Sequence, residues 1–347
     1  MERLEEWRQL LAAGQYFKVV CGAGHEVEAD VERLAYVYTL AGCNGFDVSA
    51  KPAVVEACGR GIQAAVEVAP AMGLTLGVRP FITVSVGMPG DHHVRKAVIS
   101  SDCVACDLCI PACPTAAITA DLVVVEPLCI GCGLCEAVCP PAAAAIHWRH
   151  DAKALRSILP ACLQAGAESI ELHAAVADGE ATLAEWQVVN DCLPDGLVSL
   201  CLDRHFLSNH DLLERIRRAH AVAGNRLMLQ ADGVPMGGAA GSGWRATLQA
   251  VAMADVIERE LKARDPRFRH LPVVLSGGTN RGTGALAARC GVPFAGIAMG
   301  SQARGLVQQG LQDVQVGRVN TTLKTLVAEA NDLIQTTLAR EERAELR

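Results

Sequence analysis

Residues Cys103-Val-Ala-Cys106-Asp-Leu-Cys109-Ile-Pro-Ala-Cys113-Pro114 are followed, after fourteen residues, by Cys129-Ile-Gly-Cys132-Gly-Leu-Cys135-Glu-Ala-Val-Cys139-Pro140. Each half is a C-x2-C-x2-C-x3-C-P run, the spacing by which bacterial ferredoxins hold [4Fe–4S] clusters. Three closely spaced thiolates grip three corners of one cube, and the fourth Cys, before a Pro, reaches the other. The pattern assigns Cys103, Cys106, Cys109 and Cys139 to one cluster, and Cys129, Cys132, Cys135 and Cys113 to the second. Zinc sites usually space two close pairs widely instead of using triplets with a trailing Cys-Pro, and disulfides need an oxidising compartment. Both suit this run less well.

On either side the chain alternates between short apolar runs and amphipathic stretches. Strands are expected over 16–21, 45–50, 81–86, 169–173, 197–202, 226–230, 272–276 and 293–298. Helices are expected over 1–14, 26–41, 52–68, 151–165, 180–192, 209–222, 245–263 and 283–290, after Ser301, and over 320–343. Every strand but the third runs directly into a helix, which implies right-handed crossovers and a parallel sheet. Eight such units predict a (β/α)8 TIM-like barrel over 1–90 and 149–347, with a two-cluster ferredoxin-type domain, 91–148, inserted after the third strand. A doubly wound sheet is the alternative. It would show a nucleotide fingerprint near the start, and Gly22-Ala-Gly24 does not continue to a third Gly.

The totals narrow the class. The chain has 347 residues and a formal net charge of −7, with no Lys/Arg run, so no nucleic-acid footprint is suggested. Of its fifteen cysteines, seven (Cys21, Cys43, Cys58, Cys162, Cys192, Cys201, Cys290) are scattered singly and read as buried small hydrophobes. That usage fits a reducing cytoplasm. The N-terminus mixes charge signs without an apolar core, so no secretory signal is expected, and no uncharged apolar run reaches membrane-spanning length.

Three regions beyond the cysteines are candidates for chemistry. Ser276-Gly277-Gly278-Thr279-Asn280 follows the seventh strand, and Gly300, Ser301 and Arg304 follow the eighth. In many barrels these two loops cradle a phosphate on backbone N–H groups and a helix start, which would suit a flavin or another phosphate-bearing ligand. The bland reading is that the glycines only turn the chain sharply. The glycine-rich loop from Asp232 to Gly243 reads as a lid over the barrel mouth or as a connector. Cys21, Asp47, Ser85, His173, Asp203 and Asp232 stand at or near C-terminal strand ends, where barrels build sites; each alone is more readily a loop cap or a solvated side chain. His92 and His93 precede the clusters, with no metal-ligand spacing.

Several blocks lie in the same order as in a known family: Lys18-Val-Val-Cys-Gly-Ala23, Ala35-Tyr-Val-Tyr-Thr-Leu-Ala-Gly42, Phe46-Asp-Val-Ser-Ala50, Val84-Ser-Val-Gly-Met-Pro-Gly-Asp91, Arg95-Lys96-Ala97, the eight-cysteine run, Leu275-Ser-Gly-Gly-Thr-Asn280 and Gly296-Ile-Ala-Met-Gly300. On these the chain resembles the cyanobacterial light-dependent period (LdpA) family over nearly its whole length. The resemblance implies an iron–sulfur redox sensor that adjusts circadian period to light, acting with circadian clock input proteins and a redox partner. It supplies no catalytic residues. The other readings are a barrel oxidoreductase passing electrons from the clusters to a flavin or small substrate, and an electron-transfer subunit of a larger complex.

Overall fold

The protein is described as a computed structural model over residues 2–22, 24–89, 91, 95–150, 154–233 and 244–340, without the side chains of residues 150 and 246. In chain order the strands are β1 (Tyr16–Val20), β2 (Gly45–Ser49), β3 (Phe81–Gly87), β4 (Arg95–Ile99), β5 (Ile146–His150), β6 (Ser169–His173), β7 (Val198–Leu202), β8 (Leu227–Asp232), β9 (Val273–Ser276) and β10 (Gly296–Met299). Eight close into a parallel barrel in the order β1-β10-β9-β8-β7-β6-β3-β2. The predicted (β/α)8 barrel is therefore the fold.

The break in rhythm after the third strand has a clear structural form. Strand β3 pairs directly with β6, from Thr83↔Ser169 to Gly87↔His173. The intervening chain leaves the barrel and forms an antiparallel β4–β5 ribbon, Arg95↔His150 to Ile99↔Ile146. Neither strand was expected from the sequence. Lys96-Ala-Val-Ile and Ile146-His-Trp-Arg are too short and mixed to show a period on their own.

The helices are α1 (Glu2–Ala13), α2 (Glu28–Leu40), α3 (Pro52–Val68), α4 (Cys109–Ala112), α5 (Leu134–Val138), α6 (Leu155–Gln164), α7 (Gly179–Cys192), α8 (Asn209–Ala223), α9 (Trp244–Ile257), α10 (Thr283–Arg289), α11 (Ser301–Leu311) and α12 (Thr321–Leu338). The helix expected over 245–263 changes to a π turn at Glu258–Lys262. The strand expected from 293 begins at Gly296. Among the described residues side chains cap three of these α-helix starts: Asp178, Ser208 and Asn320 accept from Ala181, Asp211 and Leu323 N–H groups, each worth about 1 kcal/mol.

Two packed regions hold the barrel. Outward strand faces and the helices share one large core. The barrel floor is a separate cluster in which α1 lays Trp7 and Leu11 under Tyr16, Phe81, Leu197, Met228 and Val274. Trp7 stacks on Phe81 at 4.3 Å between ring centres, so α1 plugs the N-terminal end. Above this floor the barrel interior turns polar.

Candidate metal centres and the barrel mouth

The cysteine module is built around its backbone turns. Five non-glycine residues with positive φ are found among the described residues: Ala105, Asp107, Ala116, Leu122 and Ala144. All five lie in the module. Such conformations cost energy and persist where the surroundings impose them; here they flank the cysteines. Short helices then present Cys109 at the start of α4 and Cys135 within α5.

Two groups of thiols result. Cys103, Cys106, Cys109 and Cys139 line one small cavity together with Ile99, Leu122 and Ile146. Burial raises the Cys109 thiol above its ordinary value, and Cys103, Cys106 and Cys139 add to the rise as neighbouring thiolates. In the second group burial pushes Cys135 up to about 12, helped by Cys132, Cys129 and Cys113. Bare thiolates crowd one another unfavourably, and cationic iron relieves that repulsion. The Ala97 N–H points to Cys129 Sγ (3.4 Å) and the Ala117 N–H to Cys113 Sγ (3.2 Å). Hydrogen bonds of this kind to sulfur tune cluster potentials. The donor set thus fits two [4Fe–4S] clusters.

The module seats on the barrel through one buried ammonium. Lys96 Nζ donates to the carbonyls of Gly24 (2.8 Å), Cys129 (2.8 Å) and Glu126 (3.0 Å). The Glu26 N–H adds a bond to the Pro127 carbonyl at 2.8 Å. Gly24 suits this close approach, because a Cβ there would stand 3.0 Å from the Cys129 carbonyl oxygen and 3.1 Å from Ile130 Cα and would press the seam apart by a few tenths of an ångström. At the other edge Asp91 accepts from the Ala175 N–H at 3.0 Å. Beside the seam lies a cavity of about 380 Å³ whose walls include Cys132, Thr115, His25, Ser301 and Arg304.

The glycine loops of the barrel are largely committed to themselves. Gly277 and Gly278 have φ of 66° and 75°. Thr279 Oγ1 donates to the Ala298 carbonyl (2.6 Å), and the Asn280 N–H donates to Thr283 Oγ1 (2.8 Å). Gly300 precedes α11, and Ser301 opens it exposed. Arg304 donates to the Val20 carbonyl at 2.5 Å. Of this group Ser301 and Arg304 line the seam cavity. His92, His93 and residues 234–243 of the glycine-rich loop lie outside the described residues.

The barrel interior holds charge that the sequence reading passed over. Lys18 Nζ, fully buried, sits 3.1 Å from Asp47 Oδ2 and 2.6 Å from Glu171 Oε2. Glu171 Oε2 also accepts from Ser199 Oγ (2.8 Å), and Oε1 accepts from Gln230 Nε2 (2.8 Å) and faces His173 Nε2 at 3.2 Å. Ser85 donates to Asp47. Burial opposes ionisation of the Glu171 carboxyl, but the charges and hydrogen bonds of Lys18 and His173 outweigh it and hold the group below its usual range. Burial instead raises Asp232, to about 7, and pushes the Cys201 thiol up. His173, against the opposing effect of burial, is raised to about 9 by Glu171. Of the strand-end residues named from sequence, Asp47, Ser85, His173 and Asp232 share this interior. Cys21 lies under Arg304, whose charge opposes the rise that burial imposes on its thiol. Asp203 accepts from the His205 N–H and serves as a local cap. Lys18, Glu171 and Gln230 had one legible signal: each occupies an inward, alternate position of a strand.

An eight-stranded parallel barrel with a cysteine-rich redox module between its third and fourth barrel strands defines the class: a barrel iron–sulfur protein. Two 4Fe-4S binding domain models match residues 97–119 and 126–144, and a model described as the light dependent period A C-terminal domain matches 162–343. Light dependent period A of Synechococcus elongatus is 33% identical over 310 residues, covering 85% of this chain and 82% of that protein. The chain belongs to the light dependent period A family. Among solved structures it is similar to the tryptophan synthase alpha chain of Legionella pneumophila (9% identity, TM-score 0.48, 97% of each chain). A putative fructose-1,6-biphosphate aldolase from Coccidioides immitis gives 10% identity, TM-score 0.48 and 96% of each chain. Among the described residues no helix is long and apolar enough to cross a membrane.

Proposed function

We propose that this protein is a redox-responsive regulator that adjusts circadian period to light and cellular redox state. The observation that carries the reading is the shared ammonium of Lys96. It touches the carbonyl of Cys129, in the cluster-binding loop, and the carbonyl of Gly24, in the loop after β1. Cys103, Cys106, Cys109 and Cys139 would hold one cluster, and Cys129, Cys132, Cys135 and Cys113 the other. When bound, the clusters supply one-electron redox chemistry. The residues of the chain do the rest. Lys96 senses charge at Cys129 at short range, in a buried site where electrostatic coupling is strong. Any shift of its ammonium is felt at Gly24 and, through the Glu26–Pro127 bond, at the start of α2. A change in the relative stability of two seatings of the module is all that a regulator needs. Clock input proteins and a redox partner are the proposed binders.

The test compares hydrogen exchange in the anaerobically purified protein with its clusters oxidised and reduced. Exchange over 22–27 and 126–130 should change together. Identical exchange in the two states would remove the basis of the proposal.

A second reading is favoured by the seam cavity, where Ser301 and Arg304 face Cys132. A flavin or another phosphate-bearing ligand seated there would make the protein an oxidoreductase. Mass spectrometry of small molecules released on denaturation separates the two: stoichiometric flavin supports the enzyme, and none supports the regulator.

A further inference from the structure

The upper rim of the barrel interior carries a set of donors unrelated to the cluster cysteines. Register places His173 of β6 beside Cys201 of β7, and Cys201 beside Gln230 of β8. Glu171 lies one inward position below His173. Ligand atoms of Glu171, His173 and Cys201, all buried, lie within 4.8 Å of one another. Asp232, the next inward residue on β8, brings Oδ2 to 3.6 Å from Cys201 Sγ.

We propose that Glu171, His173, Cys201 and Asp232 form a binding site for one zinc-type divalent cation at the barrel mouth. Imidazole, thiolate and carboxylate together are the ligand set of a borderline-soft dication. In a tetrahedral zinc site neighbouring ligand atoms stand about 3.3–3.8 Å apart, as bond lengths near 2.0–2.3 Å require. The Glu171 Oε1 to His173 Nε2 separation of 3.2 Å and the Cys201–Asp232 contact already approach that spacing.

The surroundings are those of a supported site. Glu171 Oε2 is held by Lys18 and Ser199, which leaves Oε1 turned to His173. Gln230 Nε2 donates to Glu171 Oε1 at 2.8 Å and to Cys201 Sγ at 3.5 Å, in the manner of outer partners that orient ligands. Two buried acceptors, Asp232 Oδ1 and Gln230 Oε1, have no hydrogen-bond partner among the described residues. A polar core built only for stability would satisfy them. Charge balance agrees: the Lys18 ammonium is paired with Asp47 and Glu171, Asp232 adds a further buried carboxyl, and a dication that takes the place of the His173 proton is not repelled by the whole pocket.

The test uses the full chain purified without oxygen with both clusters filled, then exposed to Zn2+ and desalted. Metal analysis should give about one zinc per chain, and zinc K-edge scattering should show one sulfur among nitrogen and oxygen neighbours. Cys201→Ser should remove the sulfur contribution, and His173→Gln should lower retained zinc at least about tenfold, both with iron content and circular dichroism unchanged. Three outcomes would overturn the site: less than about a tenth of a zinc per chain, zinc surrounded by sulfur alone as in displaced clusters, or wild-type retention in both variants. The wild-type scattering decides the matter even if a variant folds poorly.

Discussion

Lys96 Nζ lies 2.8 Å from the carbonyl oxygen of Gly24, and this contact joins the iron–sulfur module to the loop that leaves the first barrel strand. The side chain crosses a buried seam and ends among carbonyl oxygens. An ammonium has three protons to give and no acceptor, and here they have Gly24, Cys129 and Glu126 to go to. The sequence shows only Arg95-Lys96-Ala97, an unremarkable basic pair.

Lys96→Met should therefore do two things. It takes the ammonium from the Gly24, Cys129 and Glu126 carbonyls, of which Glu126 keeps the Cys129 N–H, and costs about 2–3 kcal/mol, read as a lower midpoint in chemical denaturation of the holoprotein. Removing a cation beside Cys129 should also lower the midpoint potential of the cluster held there by on the order of tens of millivolts. A redox titration followed by electron paramagnetic resonance measures this; an unmoved potential would show that Lys96 is only a fastener.

The crossed ligand assignment predicts which substitutions resemble each other. Cys139→Ser should alter the same paramagnetic signal as Cys103→Ser and Cys109→Ser, although Cys129, Cys132 and Cys135 are far closer to it in sequence. Cys109→Ser should lower iron by about one cluster's worth. If Cys139→Ser instead matches Cys135→Ser, each run keeps its own fourth ligand.

Lys18→Met leaves Asp47 and Glu171 buried without their cation. Breaking a buried pair from one side costs about 3–5 kcal/mol, because the remaining charge is uncompensated. Adding Glu171→Gln to Lys18→Met should recover part of that loss. Denaturation of the single and double variants checks it, and a double variant less stable than Lys18→Met would mean that Glu171 is held mainly by Ser199 and Gln230.

Gly277→Ala should be among the most damaging alanine substitutions in the barrel. Its φ of 66° disfavours a side chain, and a Cβ would stand 1.6 Å from Asp232 Oδ1. Strain plus displacement should cost about 2–4 kcal/mol. Gly73→Ala, with φ of 70° and open space around it, isolates the backbone share and should cost about 1 kcal/mol. Equal losses in a denaturation series would exclude the Asp232 contact as the cause.

The barrel was legible because each of its strands is an apolar run closed by turn residues, and because helices intervene at near-regular spacing. The cysteine spacing was legible because cluster geometry dictates it. What escaped was long-range. Lys18 and Glu171 are 153 residues apart, and only barrel closure brings them together. The β4–β5 ribbon pairs Lys96 with Arg149 across the whole cysteine run, so neither strand announces itself locally. The Gly277–Asn280 loop shows the opposite case, in which the polar groups of a suggestive motif are already used within the fold: the Thr279 hydroxyl donates to the Ala298 carbonyl of β10, and the Asn280 N–H closes a turn on the Thr283 hydroxyl.

Because β3 hydrogen-bonds to β6 without help from anything between them, the barrel is topologically complete with the insertion left out. The two ends of that insertion run side by side as β4 and β5, like the leads of a plug. Such a cassette can be fitted to a finished scaffold without rewiring it, leaving its few docking bonds, Lys96 foremost, as the contacts through which the proposed regulator would couple module to host.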